Sequence, residues 1–285
     1  MAVGDFPLNK KIVAITGGGS GICLAFAQLA AAQHNSVIIA DIALTPEAKS
    51  FIDEANKASK NVHFLKCDVT DWANLRNIIT FSEHEFGDVP DVYIAGAGIF
   101  EKPSTSFWAD DEPDRYHLVD VNLHPIKLTR IAMQASLKKN KKGVIVMVSS
   151  AAALYPLYPT PLYNATKAAL LAFTKSLRPA DNEEGIKVVS ICPGVVDTPL
   201  WTPDLQEQWS YTDGVAQTAS SSAEAIMDLV QNGRYEGGTI MLSMKTHGNI
   251  VVDQEKYWET YASELERASV PIRDVLKKER GNGDS

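Results

Sequence analysis

Tyr163 and Lys167 stand four residues apart in Tyr163-Asn164-Ala165-Thr166-Lys167, opening a strongly helical stretch that runs to about Asp181. Residues at that spacing share one face of a helix, so a phenol and an ammonium become neighbours. A phenol of unperturbed pKa ~10 is a weak base at neutral pH. A positive charge ~5 Å away, at an effective dielectric of ~20, is worth about 3 kcal/mol, roughly two pKa units. The expectation is a phenol brought near working pH, able to take a proton from an alcohol or return one to a carbonyl. Of the nine tyrosines in the chain this is the only one with a lysine four residues on. Ser149-Ser150 closes an apolar run just before it, and Ala151 to Leu162 is long enough to bring the Ser150 hydroxyl beside that of Tyr163. The two hydroxyls would hold one substrate oxygen, with Ser150 polarising a carbonyl or steadying an alcohol. Ser149 is read as a strand-end cap.

These groups need a frame. Short β-branched apolar runs alternate with longer helical stretches over the first two-thirds of the chain, the pattern of β-α-β units on a parallel sheet. The predicted strands are Ile12 to Thr16, Ser36 to Ala40, Val62 to Lys66, Val92 to Ala95, Val144 to Ser149, Val188 to Cys192 and Thr239 to Leu242. Several are apolar throughout, as strands buried on both faces should be. Thr45-Pro46-Glu47 reads as a helix start, and Thr70 or Asp71 can cap the next helix. With no internal repeat or low-complexity linker, the reading is one α/β domain with a doubly wound, seven-stranded parallel sheet and helices on both faces. Residues 199–222, rich in Pro, Trp, Tyr, Gln and Ser without a clear apolar period, read as a substrate-binding lid. A last helix is expected over about Gln254 to Arg280, within a C-terminal extension over about 253–285, and its Lys277-Lys278-Glu279-Arg280 run reads as a solvated face.

Directly after the first strand, Thr16-Gly17-Gly18-Gly19-Ser20-Gly21-Ile22-Cys23 leads into an alanine-rich helix. A strand turning sharply into a helix offers unpaired N–H groups and the positive end of the dipole, and glycine lets a pyrophosphate approach that backbone. The spacing is not the ordinary G-x-G-x-x-G, because Cys23 stands where a third glycine would be. Asp41 closes the second strand twenty residues after Gly21, where a dinucleotide fold needs an acid for the adenosine ribose hydroxyls. A 2′-phosphate would meet that carboxylate, and neither the glycine loop nor Ile42 offers a compensating cation, which favours NAD. Asp68, closing the third strand, either binds the adenine amino group or starts the following helix.

Composition narrows the rest. The chain of 285 residues is 45% hydrophobic and 22% charged, within the range of an ordinary globular domain. Its 35 acidic against 27 basic residues leave −8 at pH 7, giving no reason to approach nucleic acid or an anionic membrane. Cys23, Cys67 and Cys192 lie far apart with no C-x-x-C pair, so neither a disulfide framework nor a zinc cluster is expected, and no metal site is assigned. No apolar run approaches the roughly 18 residues of a membrane span, and Met1 to Lys11 holds no signal-peptide core. A cytoplasmic protein in a reducing compartment is the expectation.

Taken in order, T-G-x-x-x-G, the strand-end Ser149-Ser150, Y-x-x-x-K and Pro193-Gly194-Val195-Val196-Asp197-Thr198 resemble the short-chain dehydrogenase/reductase family over about residues 8–245. The tail Gly237-Gly238-Thr239-Ile240-Met241-Leu242 and Asp41 look most similar to its NAD-dependent 15-hydroxyprostaglandin dehydrogenase branch. The resemblance implies a Rossmann-type domain and a hydride-transferring enzyme. Tyr163 would be the acid/base, Lys167 would bind the nicotinamide ribose and depress the tyrosine pKa, Ser150 would orient substrate, and Asn122 would hold a water joining the lysine to solvent. The NAD site would draw on Gly17, Gly19, Ser20, Gly21 and Ile22; on Asp41, Ile42, Asp68 and Val69; on Ala97 and Gly98; and on Tyr163, Lys167 and Pro193. Val196 and Thr198 would hold the carboxamide. A homodimer or homotetramer packed through the helices of Asn122 and Tyr163 is also implied.

The chain departs from the family pattern at several points. The usual third glycine is Cys23, which should crowd helix against strand or cofactor. The family's N-N-A-G is Ala95-Gly96-Ala97-Gly98, without its sheet-bracing asparagine. His124-Pro125 follows Asn122 where a small residue and glycine are usual, and Thr160 is not the glutamine of the prostaglandin branch. Phe100, Trp108, Tyr155, Leu157, Tyr158, Trp201, Trp209 and Tyr211 flank the reacting group, and apolar walls suit a hydrophobic secondary alcohol or ketone better than a sugar. Two other readings compete with this one. One is an NAD-sensing regulatory protein without turnover, and the other is a biosynthetic family member doing dehydration or cyclisation.

Overall fold

A computed structural model describes residues 2–58, 61–101, 107–110, 112, 114–208, 214–252 and 270–280. Eight strands form one sheet: β1 (Ile12–Thr16), β2 (Ser36–Asp41), β3 (Val62–Lys66), β4 (Val92–Ala95), β5 (Gly143–Val148), β6 (Ile186–Pro193), β7 (Ile240–Met244) and β8 (Gly248–Val251). Their order is β3-β2-β1-β4-β5-β6-β7-β8, and every pair is parallel except β7 with β8. The expected seven parallel strands are therefore joined by an eighth, antiparallel one. It escaped the sequence reading because all four of its residues are exposed, so it carries none of the buried apolar character that marks the others.

The helices are α1 (Gly21–Ala32), α2 (Pro46–Lys57), α3 (Trp72–Phe86), α4 (His117–Asn122), α5 (His124–Lys138), α6 (Pro161–Ser176), α7 (Pro179–Glu184), α8 (Pro203–Gln208), α9 (Ala219–Gln231) and α10 (Val270–Glu279). Phe26 of α1, Ala55 of α2 and Ile226 of α9 bury one face of the sheet with Val13, Ile39 and Val189. Leu75 of α3, Leu128 of α5 and Leu170 of α6 bury the other with Ala14, Ile38 and Ile145. Thr45 caps α2 through Ala48 N, and Asp71, not Thr70, caps α3 through Ala73 N.

The sequence reading of the lid ran too far. Residues 219–222 are the first turn of α9, capped by Thr218, whose hydroxyl accepts from Ser221 N at 3.1 Å. Of the expected last helix only α10 lies within the described residues. Glu279 takes Arg130 Nη1 at 2.9 Å and Gln134 Nε2 at 3.1 Å, and Arg280 pairs with Glu184 at 2.7 Å. Part of the charged run expected to face solvent thus clips α10 onto α5 and α7.

Candidate active site

Strand order reverses between β1 and β4, and a crevice opens there beyond the carboxyl ends of the strands, where open α/β sheets bind ligands. It holds a cavity of about 820 Å³. At one end the glycine loop turns into α1. Gly17 and Gly21 have φ of 73° and 55°, and a Cβ on Gly17 would lie 2.6 Å from Ala97 N, so no other residue fits that position. Ser20 makes no side-chain cap, and the first turn of α1 carries no acid. The leading amides of α1 are left to a ligand, and an anion is what the dipole favours there.

Asp41 lines the cavity and also braces the loop, its Oδ2 accepting from Gly19 N at 2.9 Å. Gly19 does not line the cavity; a Cβ there would lie 2.3 Å from Ala43 O, so its smallness lets the loop close on Asp41. Ile42 stands 65% exposed beside it. Asp68 and Val69 form the wall after β3, and the Asp68 carboxylate accepts from both the Thr70 hydroxyl at 2.7 Å and Thr70 N at 2.9 Å. Those bonds hold its pKa below the usual range. Asp71, not Asp68, caps α3, so the helix start does not call on the Asp68 carboxylate. Among the described lining residues Lys167 is the only lysine or arginine. This arrangement, with open amides at one end and a strand-end acid beside them, fits a dinucleotide.

Ser150, Tyr163 and Lys167 meet at the opposite end. Ser150 Oγ accepts from Ala152 N at 3.2 Å, which leaves its proton for the Tyr163 hydroxyl. The Lys167 ammonium lies 5.6 Å from the Tyr163 ring centre and donates to Val148 O at 2.9 Å. Ser149 donates to Lys167 O at 2.8 Å, a tie between strand and helix. Burial dominates the electrostatics of both reacting groups. It pushes the Tyr163 phenol above its ordinary pKa, against the pull of the Ser150 hydrogen bond, and it lowers Lys167 to about 8. The sequence expectation of a phenol depressed by its lysine neighbour is therefore corrected for the protein alone. At neutral pH desolvation disfavours either charge, and the phenol keeps its proton.

Pro193, Val196 and Thr198 form the wall facing the glycine loop, and a Cβ on Gly21 would come within 3.1 Å of Thr198 Cγ2. Ser20, Ile22, Ala97 and Gly98 also line the cavity. Asn122 does not. Fully buried, it accepts from Ile99 N at 2.9 Å and donates to Ile99 O at 3.1 Å and to Thr166 Oγ1 at 3.2 Å, so its side chain pins the segment after β4 to α6.

Comparison with known proteins agrees with this geometry. The profile of the short chain dehydrogenase family matches residues 11–209. The chain belongs to this family. It is 34% identical to galactitol 2-dehydrogenase of Agrobacterium fabrum over 68% of this chain and 73% of that protein. It is 31% identical to the mouse 15-hydroxyprostaglandin dehydrogenase [NAD(+)] over 68% and 70%. A solved short chain dehydrogenase from Burkholderia cenocepacia in complex with NADP superposes with a TM-score of 0.71 at 25% identity, covering 82% of this chain and 96% of that one. The chain is thus an enzyme of the dehydrogenase/reductase class, in a family that binds a nicotinamide cofactor.

Set within the short-chain dehydrogenases, the departures form a pattern. A Cβ on Gly96 would lie 2.1 Å from Cys23 Sγ, so the thiol fills the room left where the family's N-N-A-G run is altered. Burial lifts that thiol to about 12. His124 braces the strand ends beside this altered run. Its Nδ1 donates to Val121 O at 2.7 Å, so Nε2 accepts from Thr16 Oγ1 at 2.9 Å, and Thr16 Oγ1 in turn accepts from Gly96 N at 3.1 Å. The ends of β1, β4 and α4 are joined through this ring. Burial drops His124 to about 4, keeping it neutral.

Of the predicted aromatic wall, Phe100, Tyr155, Leu157 and Trp201 line the cavity. Phe100 stacks on Tyr163 at 4.6 Å and on Trp201 at 5.7 Å. Trp108 and Tyr158 instead face each other at 4.9 Å over a separate surface cavity. Trp209 and Tyr211 lie outside the described residues. Sequence reasoning missed His117 and Met244 in the lining, and the buried Glu101 behind it. None sits in a motif; only Glu101, three residues beyond the fourth-strand turn at Gly98, had a position that could have drawn notice.

Proposed function

We propose that this chain is an NAD-dependent oxidoreductase that moves a hydride between the nicotinamide and a secondary alcohol or ketone on a hydrophobic small molecule. The observation that carries the reading is one cavity with Ser150, Tyr163 and Lys167 at one end and the open N-terminus of α1, with Asp41 beside it, at the other. Bound NAD supplies the hydride acceptor, or as NADH the donor. The hydroxyls of Ser150 and Tyr163 converge on one substrate oxygen. Ser150 donates to it, and Tyr163 exchanges the proton: it gives one to a ketone oxygen as hydride arrives at carbon, and takes one from an alcohol as hydride leaves. Lys167 holds positive charge beside the phenol and stabilises the tyrosinate formed in the first direction. A phenol kept neutral by burial is ready to donate, so alcohol oxidation should speed up as pH rises.

Asp41 and Asp68 with no arginine and a single lysine along the described wall support NAD over a 2′-phosphorylated cofactor. The relative named for NAD(+) agrees, although a similar solved structure holds NADP. Phe100, Trp201, Leu200 and Met244 make an apolar substrate wall, which favours a hydrophobic alcohol over the polyol named for one relative. Thr160 is buried with its hydroxyl on Asn164, outside the cavity, so nothing there favours a prostaglandin. A homodimer or homotetramer completes the proposal, with light scattering as its check.

The test is a panel of hydrophobic secondary alcohols and ketones followed by NADH absorbance, with NAD and NADP side by side. NAD-linked turnover is expected, and Tyr163→Phe should lose about a thousandfold or more. Preference for NADP refutes the role of Asp41; full activity in Tyr163→Phe refutes the mechanism. No helix among the described residues is long and apolar enough to cross a membrane.

A further inference from the structure

The helix that carries Tyr163 begins without a cap of its own. Thr160, in the N-cap position of α6, makes no capping bond; its hydroxyl donates to Asn164 Oδ1 at 3.3 Å. Pro161 has no N–H, and Asn164 N reaches back to Thr160 O at 3.0 Å. The amide of Tyr163 itself donates to Glu101 Oε2 at 2.9 Å, across 62 residues of sequence. Glu101 is 2% exposed, and its second oxygen accepts from Phe107 N at 3.0 Å. One buried carboxylate therefore meets two amide donors, one at the start of the reacting helix and one in the segment after β4. A carboxylate suits that place because both partners only donate and because negative charge is favoured at a helix N-terminus.

The next residue back, Phe100, is the ring that stacks on Tyr163 and Trp201, and Ile99 is held by Asn122 from the other side. Resting on the functional reading above, we propose that Glu101 is a positioning residue. By capping α6 at Tyr163 N it makes the substrate wall and the proton-transferring phenol a single rigid unit. Without it, the tie between the segment of Phe100 and the start of α6 would rest on ring packing and on Asn122, which holds α6 further along at Thr166, and the distance between phenol and substrate oxygen would be less tightly set.

The variant Glu101→Gln preserves shape but turns an NH2 group toward one of the two amide donors. Hydrogen exchange on the cofactor-free chain reads the clamp directly. Peptides containing Tyr163 and Phe107 should exchange about tenfold faster than wild type, while those over β1 and the start of α1 stay unchanged. NADH binding, followed by its fluorescence, should stay within about twofold, and kcat for a substrate from the alcohol panel should fall about tenfold. Glu101→Asp, which keeps charge but loses reach, gives the same readouts should the glutamine variant not fold. Unchanged exchange at both amides overturns the proposal. So does faster exchange with kcat and the alcohol KM at wild-type values, which would make the cap structural only. If wild-type protein turns over no alcohol, the functional reading fails on its own, and exchange still decides whether Glu101 joins the two segments.

Discussion

Replacing Gly96 by alanine tests whether Cys23 and Gly96 are one coupled departure from the family pattern. An alanine methyl would sit 2.1 Å from Cys23 Sγ, far inside contact distance, whereas its next neighbours, Thr16 O and Val148 Cγ2, stand at 3.3 Å. Cys23 is buried between α1 and the sheet, so the sulfur has little room to retreat. Overpacking of this kind costs about 1–3 kcal/mol. Cys23→Ala removes the obstructing atom at about 1 kcal/mol for the lost packing. In that background Gly96→Ala should cost little, because only the two looser contacts remain. The double-mutant cycle should therefore show a favourable coupling of about 1–2 kcal/mol. Thermal unfolding reads it, at about 2–4 °C per kcal/mol for a chain of this size. Gly96→Ala alone should also weaken NADH binding, since both residues line the crevice. Losses that simply add, within about 0.5 kcal/mol, refute the argument that the thiol takes the place a side chain at position 96 would need.

Two further outcomes follow from buried ionisable groups. Burial lowers Lys167 from 10.5 to about 8, so the unfolded chain binds its proton more tightly and wild-type stability should rise with pH between about 8 and 10.5. Lys167→Met should lack that rise and abolish turnover. At pH 7 it should be no less stable than wild type, because up to ~3 kcal/mol of desolvation offsets the lost bond to Val148 O. His124 is likewise held neutral, its pKa lowered from 6.5 to about 4, so its contribution is complete above pH 6.5 and drains away as pH falls toward 4. The stability gap between wild type and His124→Gln should narrow over that window by up to ~3 kcal/mol, measured by urea unfolding at several pH values; a gap independent of pH refutes it.

The linear chain carried the outline of this protein because local periodicity and short motifs are local physics. Apolar β-branched runs announced central strands such as β1, β5 and β6, since strands buried on both faces have no polar alternation to hide them. Four-residue spacing put Tyr163 and Lys167 on one face of α6, and a glycine-rich strand end announced the open amides of α1. Tertiary structure decided what depends on residues far apart in sequence. It set the sign of the Tyr163 shift, because desolvation is a property of the whole enclosure, which spacing along one helix does not reveal. It sent Trp108 and Tyr158 to a different cavity and Asn122 to Ile99. It joined Cys23 to Gly96, His124 to Thr16 and Glu101 to Tyr163, pairs separated by between 62 and 108 residues. Such pairs have no signature in a single chain, because packing and hydrogen bonding act through space, and only the folded backbone says which atoms arrive together.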